Sequence, residues 1–305
     1  SLMHRTLAHV GAPADSEPVN VKRLGALLVA GAAMVFIAAF ILQSELVARI
    51  CVYAAGVAIL GIFIHLIRSS RQHERAGLVA ALVLTVQTIF FFIFYQQMST
   101  SLNLFAQKNV DLSFDVFGLH LFNWIPEQFQ SLNAIWIVAL SPVLVLIYNA
   151  MGKVGKNPAV AVKFAWGFAA VAAGFFMYGV GARFAVNGQI SSWFMVGGYG
   201  LYSLGELLVS GLGLAMIARY VPARMGGFMM GAYYVASGIA QYLGSVVANF
   251  ASIPQHVVDP MVSLPIYTKL FNQLGVAGVT CTLIALAMLP LMKKLSASHS
   301  EAANN

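Results

Sequence analysis

One acidic residue, Glu206, stands in the middle of a long apolar run. The chain has ten Asp and Glu residues, and the other nine fall in loops, tails or the ends of apolar runs. A carboxylate inside a lipid bilayer costs about 2.5–3.5 kcal/mol on insertion scales, so it persists where it meets a cavity or a partner. Because such a group can attract an ammonium group or carry a proton, we predict a transport role for Glu206. The alternative is a protonated side chain that hydrogen-bonds to a neighbouring helix.

Polar side chains recur around Glu206 every three or four residues, which places them on one face of a helix. These are Tyr199, Tyr202, Ser203, Glu206 and Ser210. A second stripe with the same spacing follows in the next run: Tyr233, Ser237, Gln241, Ser245 and Asn249, with Tyr234 beside it. The second stripe either lines a cavity or forms hydrogen bonds between helices. Hydroxyl and amide groups around one acid suit a zwitterionic solute, and the pattern favours a secondary transporter or a channel-like bundle.

The elements that position these residues are membrane-spanning helices. The 305-residue chain is 60% hydrophobic and 9% charged, whereas soluble proteins carry about 25% charged residues. Runs of about 20 apolar residues can cross a bilayer, and they do so as helices because lipid leaves no partner for backbone groups. We predict eight spans: Leu24–Leu42, Arg49–Ile67, Ala76–Tyr95, Leu132–Ala150, Phe164–Ala182, Trp193–Ala218, Met225–Phe250 and Ile266–Met292.

The distribution of basic residues predicts the orientation of these spans. Eight spans leave both termini on one side, and 13 of the 17 Lys and Arg residues fall on that side. The positive-inside rule makes it cytoplasmic. The longest extracytoplasmic loop, 100–131, contains Trp124. We expect it to hold a short extension of the preceding helix and an interfacial turn, and the alternative is a functional loop.

Several classes of function are disfavoured. The sequence contains no paired carboxylates, nucleophile elbow, phosphate loop or metal-ligand cluster, so we expect neither an enzyme nor a metal or cofactor site. Cys51 and Cys281 lie in apolar runs and are expected to be small buried side chains. The formal net charge of +7 reflects topology, and no nucleic-acid motif accompanies it.

Five stretches resemble the proton-dependent oligopeptide transporter family of the major facilitator superfamily. They are 95–106 (YQQMSTSLNLFA), 129–133 (FQSLN), 203–210 (SLGELLVS), 221–224 (VPAR) and 227–234 (GFMMGAYY). The likeness runs from about residue 19 to 294 and is strongest to bacterial dipeptide and tripeptide permeases. It implies an all-α membrane protein, namely the six-helix carboxy-terminal bundle of a major facilitator fold preceded by an extra two-helix hairpin.

The resemblance also implies a division of the chain into a cytoplasmic linker (1–19), an extra helix pair (20–72), the six-helix bundle (73–295) and a cytoplasmic tail (296–305). The family's amino-terminal bundle, with its Glu-x-x-Glu-Arg motif, has no counterpart here. We therefore expect the chain to be part of a longer protein in which the missing bundle is its partner.

The family implies roles for particular residues. Asn133 and Glu206 match the positions that bind the amino terminus of a peptide, and Ser210 matches a gate-lining position. Tyr233, beside Tyr234, stands where many members have tryptophan, and both tyrosines are expected to contact the substrate. Gln96 stands where many have an acid that pairs with a base in the missing bundle. Weaker candidates for lining the cavity are Gln96, Tyr202, Ser237 and Gln241.

The implied function is symport of dipeptides and tripeptides with protons by alternating access, without a cofactor, in the bacterial inner membrane. The chain by itself is expected not to transport. Two alternatives are a transporter of another small solute on the same fold and a membrane fragment that transports nothing.

Overall fold

The computed structural model describes residues 21–155, 158–251 and 259–304, and of residues 42, 73, 211–219, 223, 224, 251 and 298–304 it describes the backbone alone. The predicted linker, 1–19, lies outside the described residues. The α-helices in the described part are α1 (Val21–Leu42), α2 (Glu45–Ser69), α3 (Gln72–Tyr95), α4 (Ser101–Asn109), α5 (Ser131–Lys153), α6 (Val160–Gly181), α7 (Ser192–Tyr220), α8 (Ala223–Ala248), α9 (Pro260–Ala287) and α10 (Leu289–Asn304).

Six helical segments among the described residues are long and apolar enough to cross a membrane. They are Val21–Ile41, Glu45–Ser69, Glu74–Asn109, Pro126–Lys153, Val160–Phe184 and Pro260–Ala287. The two other predicted spans coincide with α7 and α8, whose side chains are only partly described. The last span was predicted to end at Met292, which is wrong: α9 ends at Ala287 and α10 begins at Leu289. Pro290 favours this break because proline cannot donate a backbone hydrogen bond and is tolerated in the first turn of a new helix.

The chain divides into two compact units, 1–53 and 54–305. In the first unit the side chains of α1 are exposed along the helix, as befits an apolar helix that meets lipid. The second unit holds a core built around α6, which packs most extensively against α7 and α9. Phe164, Phe168 and Phe175 of α6 are almost completely buried. The predicted boundaries of the extra helix pair and of the six-helix bundle stay predictions.

The predicted extracytoplasmic loop 100–131 is more ordered than the sequence indicates. It contains α4, a strand β1 (Val110–Asp111), and an antiparallel hairpin of β2 (Ser113–Val116) and β3 (Leu119–Asn123). The helical extension is present, but the hairpin was not predicted. Polar and apolar residues alternate in β2, but its four residues are fewer than the alternation of about ten residues that was sought as a strand signal. The ring of Trp124 stacks on that of Phe129 with their centroids 4.9 Å apart.

A buried amide joins this loop to two other segments. The Nδ2 atom of Asn109, at the end of α4, donates to the carbonyl oxygens of Gly188 and Pro260, both at 2.8 Å. Its Oδ1 atom accepts from the Ser263 hydroxyl at 2.8 Å. Beside Gly188, β4 (Ile190–Ser191) pairs in parallel with β1. These bonds fix the beginning of α9 against the end of α4.

Candidate substrate site

A carboxylate–amide pair links α7 to α5. The Nδ2 atom of Asn133 donates to Oε2 of Glu206 at 2.7 Å and to the Ser203 hydroxyl at 3.1 Å. Asn133 lies in the first turn of α5, and Ser203 precedes Glu206 by almost one turn of α7, so one amide reaches both. Asn133 and Glu206 are both partly exposed, whereas Ser203 is fully buried. The pair therefore stands at the boundary between the packed interior and open space.

Tyrosines attach α7 to the end of α3, where that helix gives way to a single 3₁₀ turn, Gln96–Met98. The hydroxyl of Tyr202 donates to the carbonyl oxygen of Phe94, and that of Tyr199 donates to the carbonyl oxygen of Met98 at 3.5 Å. From α3, the phenol of Tyr95 lies close to the Glu206 carboxylate. Three helices thus converge on one acid.

Close glycine contacts set the position of α7 against α6. A Cβ atom added at Gly205 would lie 2.8 Å from the carbonyl oxygen of Gly167 and 2.7 Å from a methyl group of Val171. A Cβ atom at Gly174 would lie 3.2 Å from the carbonyl oxygen of Gly198. Glu206 directly follows Gly205. This close packing of the two backbones therefore fixes the position of Glu206 along α6 and the rotation of α7 about its own axis.

The Glu206 carboxylate has neutral partners. Among the described residues, no nitrogen of Lys, Arg or His lies within 4.0 Å of it. An ionised carboxylate offers about four lone-pair sites, and the donors at hand are one amide and one phenol. The site therefore holds a carboxyl group that can accept further hydrogen bonds from a cation.

The polar residues along α8 fall into two groups: some pack against other helices and the others are exposed. Tyr233 and Ser237 are buried, and the hydroxyl of Tyr233 approaches Thr88 of α3. Tyr234 and Gln241 are exposed. At the end of the stripe, Ser245 accepts a hydrogen bond from Nε2 of Gln96 at 3.5 Å. The structure thus gives one part of the stripe to contacts between helices and leaves the rest open.

One residue that was predicted to line a cavity is buried between helices instead. Tyr202 was predicted to line a cavity, but its side chain is fully buried against Phe94 and Phe175. It shares the helix face of Glu206, yet the bulk of α3 and α6 covers that part of the face. Ser210, one turn after Glu206, remains partly exposed. The other candidates, Asn133, Glu206, Tyr233, Tyr234, Gln96, Ser237 and Gln241, stay predictions as to substrate contact.

Sequence reasoning missed one contributor, Tyr95, which comes close to the acid from α3. Ser203 was predicted to share the helix face of Glu206 from its spacing of three residues, and the structure adds that it accepts a hydrogen bond from the Asn133 amide. Nothing in the spacing along α3 marks Tyr95, because its role depends on how α3 crosses α7.

Comparison with known families shows which family the chain belongs to. The profile of the POT family matches residues 29–270, which include the spans that carry Asn133, Glu206 and Tyr233. The chain belongs to the POT family. It is accordingly a multi-pass membrane protein, and its helices correspond to the predicted all-α fold. Relatives of this chain include dipeptide and tripeptide permeases.

Dipeptide and tripeptide permease A of Escherichia coli (strain K12) is 36% identical over 293 residues, which are 96% of this chain and 57% of the relative. Dipeptide and tripeptide permease B of Aliivibrio fischeri (strain MJ11) is 32% identical over 298 residues, which are 97% and 59% of the two chains. This POT chain thus spans little more than half the length of the curated relatives it matches.

Solved POT structures match this chain over similar shares of the two chains. The crystal structure of tetrameric PepTSo2 is 63% identical, with a TM-score of 0.81, over 96% of this chain and 59% of the other. A peptide transporter POT crystallised with sulfate is 26% identical, with a TM-score of 0.71, over 96% and 58% of the two chains. The second resemblance shows that the helix arrangement tolerates wide sequence change.

Proposed function

We propose that this chain forms the carboxy-terminal bundle of a proton-coupled symporter of dipeptides and tripeptides in a bacterial inner membrane. The observation that carries the proposal is the Glu206 carboxylate, held by Asn133 at 2.7 Å, with no cationic partner within 4.0 Å among the described residues. A partly exposed acid with neutral donors is suited to the α-ammonium group of a peptide.

Each neighbour contributes to binding the ammonium. The amide of Asn133 occupies one side of the carboxylate, which fixes the rotamer of Glu206 and leaves the remaining lone pairs directed away from α5. The amide's own carbonyl oxygen, which appears in none of the hydrogen bonds described at the site, is a second acceptor for the ammonium. A charge-assisted pair of this kind is about twice as strong as a neutral hydrogen bond.

In this mechanism Glu206 is the one acid within a predicted span of the bundle that can carry the proton. Gln96, which was predicted to replace a common acid, is neutral and hydrogen-bonds to Ser245. That position therefore supplies no titratable group. Glu206 would exchange a proton when the ammonium leaves, which couples the two movements through one carboxylate.

The missing half of the cavity would come from the amino-terminal bundle. Alternating access requires two bundles that rock about a central site, and Tyr234 and Gln241 are exposed on α8 as residues that meet a partner or a solute would be. The excess of Lys and Arg on one side supports cytoplasmic termini for this chain.

Uptake by the complete protein, reconstituted in vesicles with an inward proton gradient, tests the substrate class. A labelled dipeptide should accumulate, and unlabelled dipeptides and tripeptides should compete with it. Free amino acids and tetrapeptides should compete less well, because the proposed site takes peptides of two or three residues. Equal competition by all four classes would favour a transporter of another solute.

A separate prediction concerns the amide. Asn133→Ala should raise KM for a dipeptide by about tenfold and change kcat little, because a hydrogen bond to a charged group contributes about 1.5–3 kcal/mol. Asn149→Ala, on an exposed position of the same helix, is the matched control and should transport as the parent does. An unchanged KM in Asn133→Ala would remove the amide from the binding site.

A further inference from the structure

A cavity lies away from Glu206, between α3, α6, α8 and α9. It has a volume of about 1520 Å³, and its walls are mainly apolar, with Phe90, Phe168 and Ile284 among them. Neither Glu206 nor Asn133 lines it. The cavity is therefore a feature of its own, and its walls would be a poor match for a zwitterionic peptide. We call it the α3–α9 groove.

The path of α9 explains why the groove exists. α9 packs closely on α6, where a Cβ atom at Gly278 would lie 2.9 Å from that of Ala172. At one end α9 contacts α4 through the rings of Phe271 and Phe105, 5.0 Å apart. Towards the other end Nε2 of Gln87 in α3 lies 3.8 Å from the sulfur of Met288, just after α9. Between these two contacts α3 and α9 diverge and leave the space open.

The groove opens to the side of the bundle. Val86, Phe90 and Ile284 line it and are exposed, and they belong to helices long and apolar enough to cross a membrane. In a bilayer such an opening meets acyl chains wherever no other helix covers it. Groups with hydrocarbon surfaces are therefore the available occupants.

One basic side chain, that of Lys269, lies at one end of the groove. Lys269 lines the groove, and together with Thr268, Asn272 and Gln273 it also lines an adjoining pocket of about 620 Å³. Its side chain is exposed, and no carboxylate among the described residues lies within 4.0 Å of its ammonium nitrogen. Such a charge beside an apolar channel favours an anionic amphiphile.

The depth of Lys269 matches the level of lipid headgroups. The part of α9 that follows Lys269, from Leu270 to Ala287, contains no charged residue. At 1.5 Å per residue this part is about 27 Å long, close to the thickness of the hydrocarbon core, about 30 Å. Lys269 therefore stands near one boundary of the hydrocarbon core, at the level where lipid phosphates lie.

We propose that the α3–α9 groove binds an anionic phospholipid of the bilayer, with its phosphate at Lys269 and one acyl chain along the apolar walls. Amides at Asn272 and Gln273 supply further donors to phosphate oxygens. The relative PepTSo2 is tetrameric, so a second copy of the chain is the competing occupant. A lipid is favoured because it supplies in one molecule both the negative charge for Lys269 and a flexible chain for the groove.

Native mass spectrometry of the complete protein, with equal amounts of phosphatidylglycerol and phosphatidylethanolamine added, tests this proposal. The parent should retain phosphatidylglycerol preferentially. Lys269→Gln should lower that retention about fivefold, the factor that corresponds to about 1 kcal/mol per lysine near an anionic lipid surface. Ala277→Trp, which fills the groove from an exposed position of α9, should lower retention of both lipids.

Lys153→Gln, on an exposed lysine at the end of α5, is the matched control and should leave the lipid preference unchanged. Equal retention by the parent and Lys269→Gln would overturn the proposal. So would a change of oligomeric state in Ala277→Trp with lipid retention unaltered, because the groove would then be covered by a second copy.

Discussion

Replacing Glu206 by glutamine should reduce concentrative uptake of a dipeptide by the complete transporter about 100-fold or more. Glutamine keeps the size of the side chain and can still hydrogen-bond to Asn133, so the local packing persists. The substitution removes the negative charge that pairs with the peptide ammonium. Removing one partner of a desolvated ion pair costs about 3–5 kcal/mol, and 1.4 kcal/mol corresponds to a factor of ten.

Glu127→Gln is the control for this experiment, since Glu127 is an exposed acid outside α7 that accepts a hydrogen bond from Gln107 at 3.3 Å. It should transport as the parent does. Exchange of labelled peptide without a gradient should also be measured in Glu206→Gln, because a residual exchange would separate peptide binding from proton coupling. Full accumulation of dipeptide in Glu206→Gln would exclude Glu206 from both roles.

Replacing Gly205 by valine should lower the thermal stability of the protein strongly, by about 3 kcal/mol or more. Already the first added carbon would lie 2.8 Å from the backbone oxygen of Gly167. That oxygen belongs to a helix and cannot move aside as the end of a flexible side chain can. Overpacking a dense core typically costs about 1–3 kcal/mol, and valine adds two methyl groups beyond the clashing atom.

The matched control is Gly61→Val in α2, because a Cβ atom at Gly61 would meet nothing within 4 Å. It carries the same helix-propensity change and should alter the melting temperature little. Thermal unfolding of both variants in detergent, followed by tryptophan fluorescence, makes the comparison. Equal melting temperatures for Gly205→Val and the parent would show that α6 and α7 are not held at the separation described here.

Several features of this protein follow from its sequence alone. Apolar runs of about 20 residues with few charges have to be membrane helices, because lipid offers backbone groups no other partner. A lone acid within such a run indicates a site for the same reason, since its burial is too costly to be incidental. The residues 203–210 and their neighbours are specific enough to indicate the POT family, which the match over residues 29–270 confirms.

The tertiary structure decided which residues meet. Helical periodicity places Tyr199, Tyr202 and Glu206 on one face, but it cannot say how much of that face a neighbouring helix covers. The crossing of α3 over α7 buries Tyr202 and brings Tyr95 to the acid. Asn133 and Glu206 lie 73 positions apart, and only the packing of α5 beside α7 joins them. The α3–α9 groove likewise has no local signal, because it arises where two helices diverge.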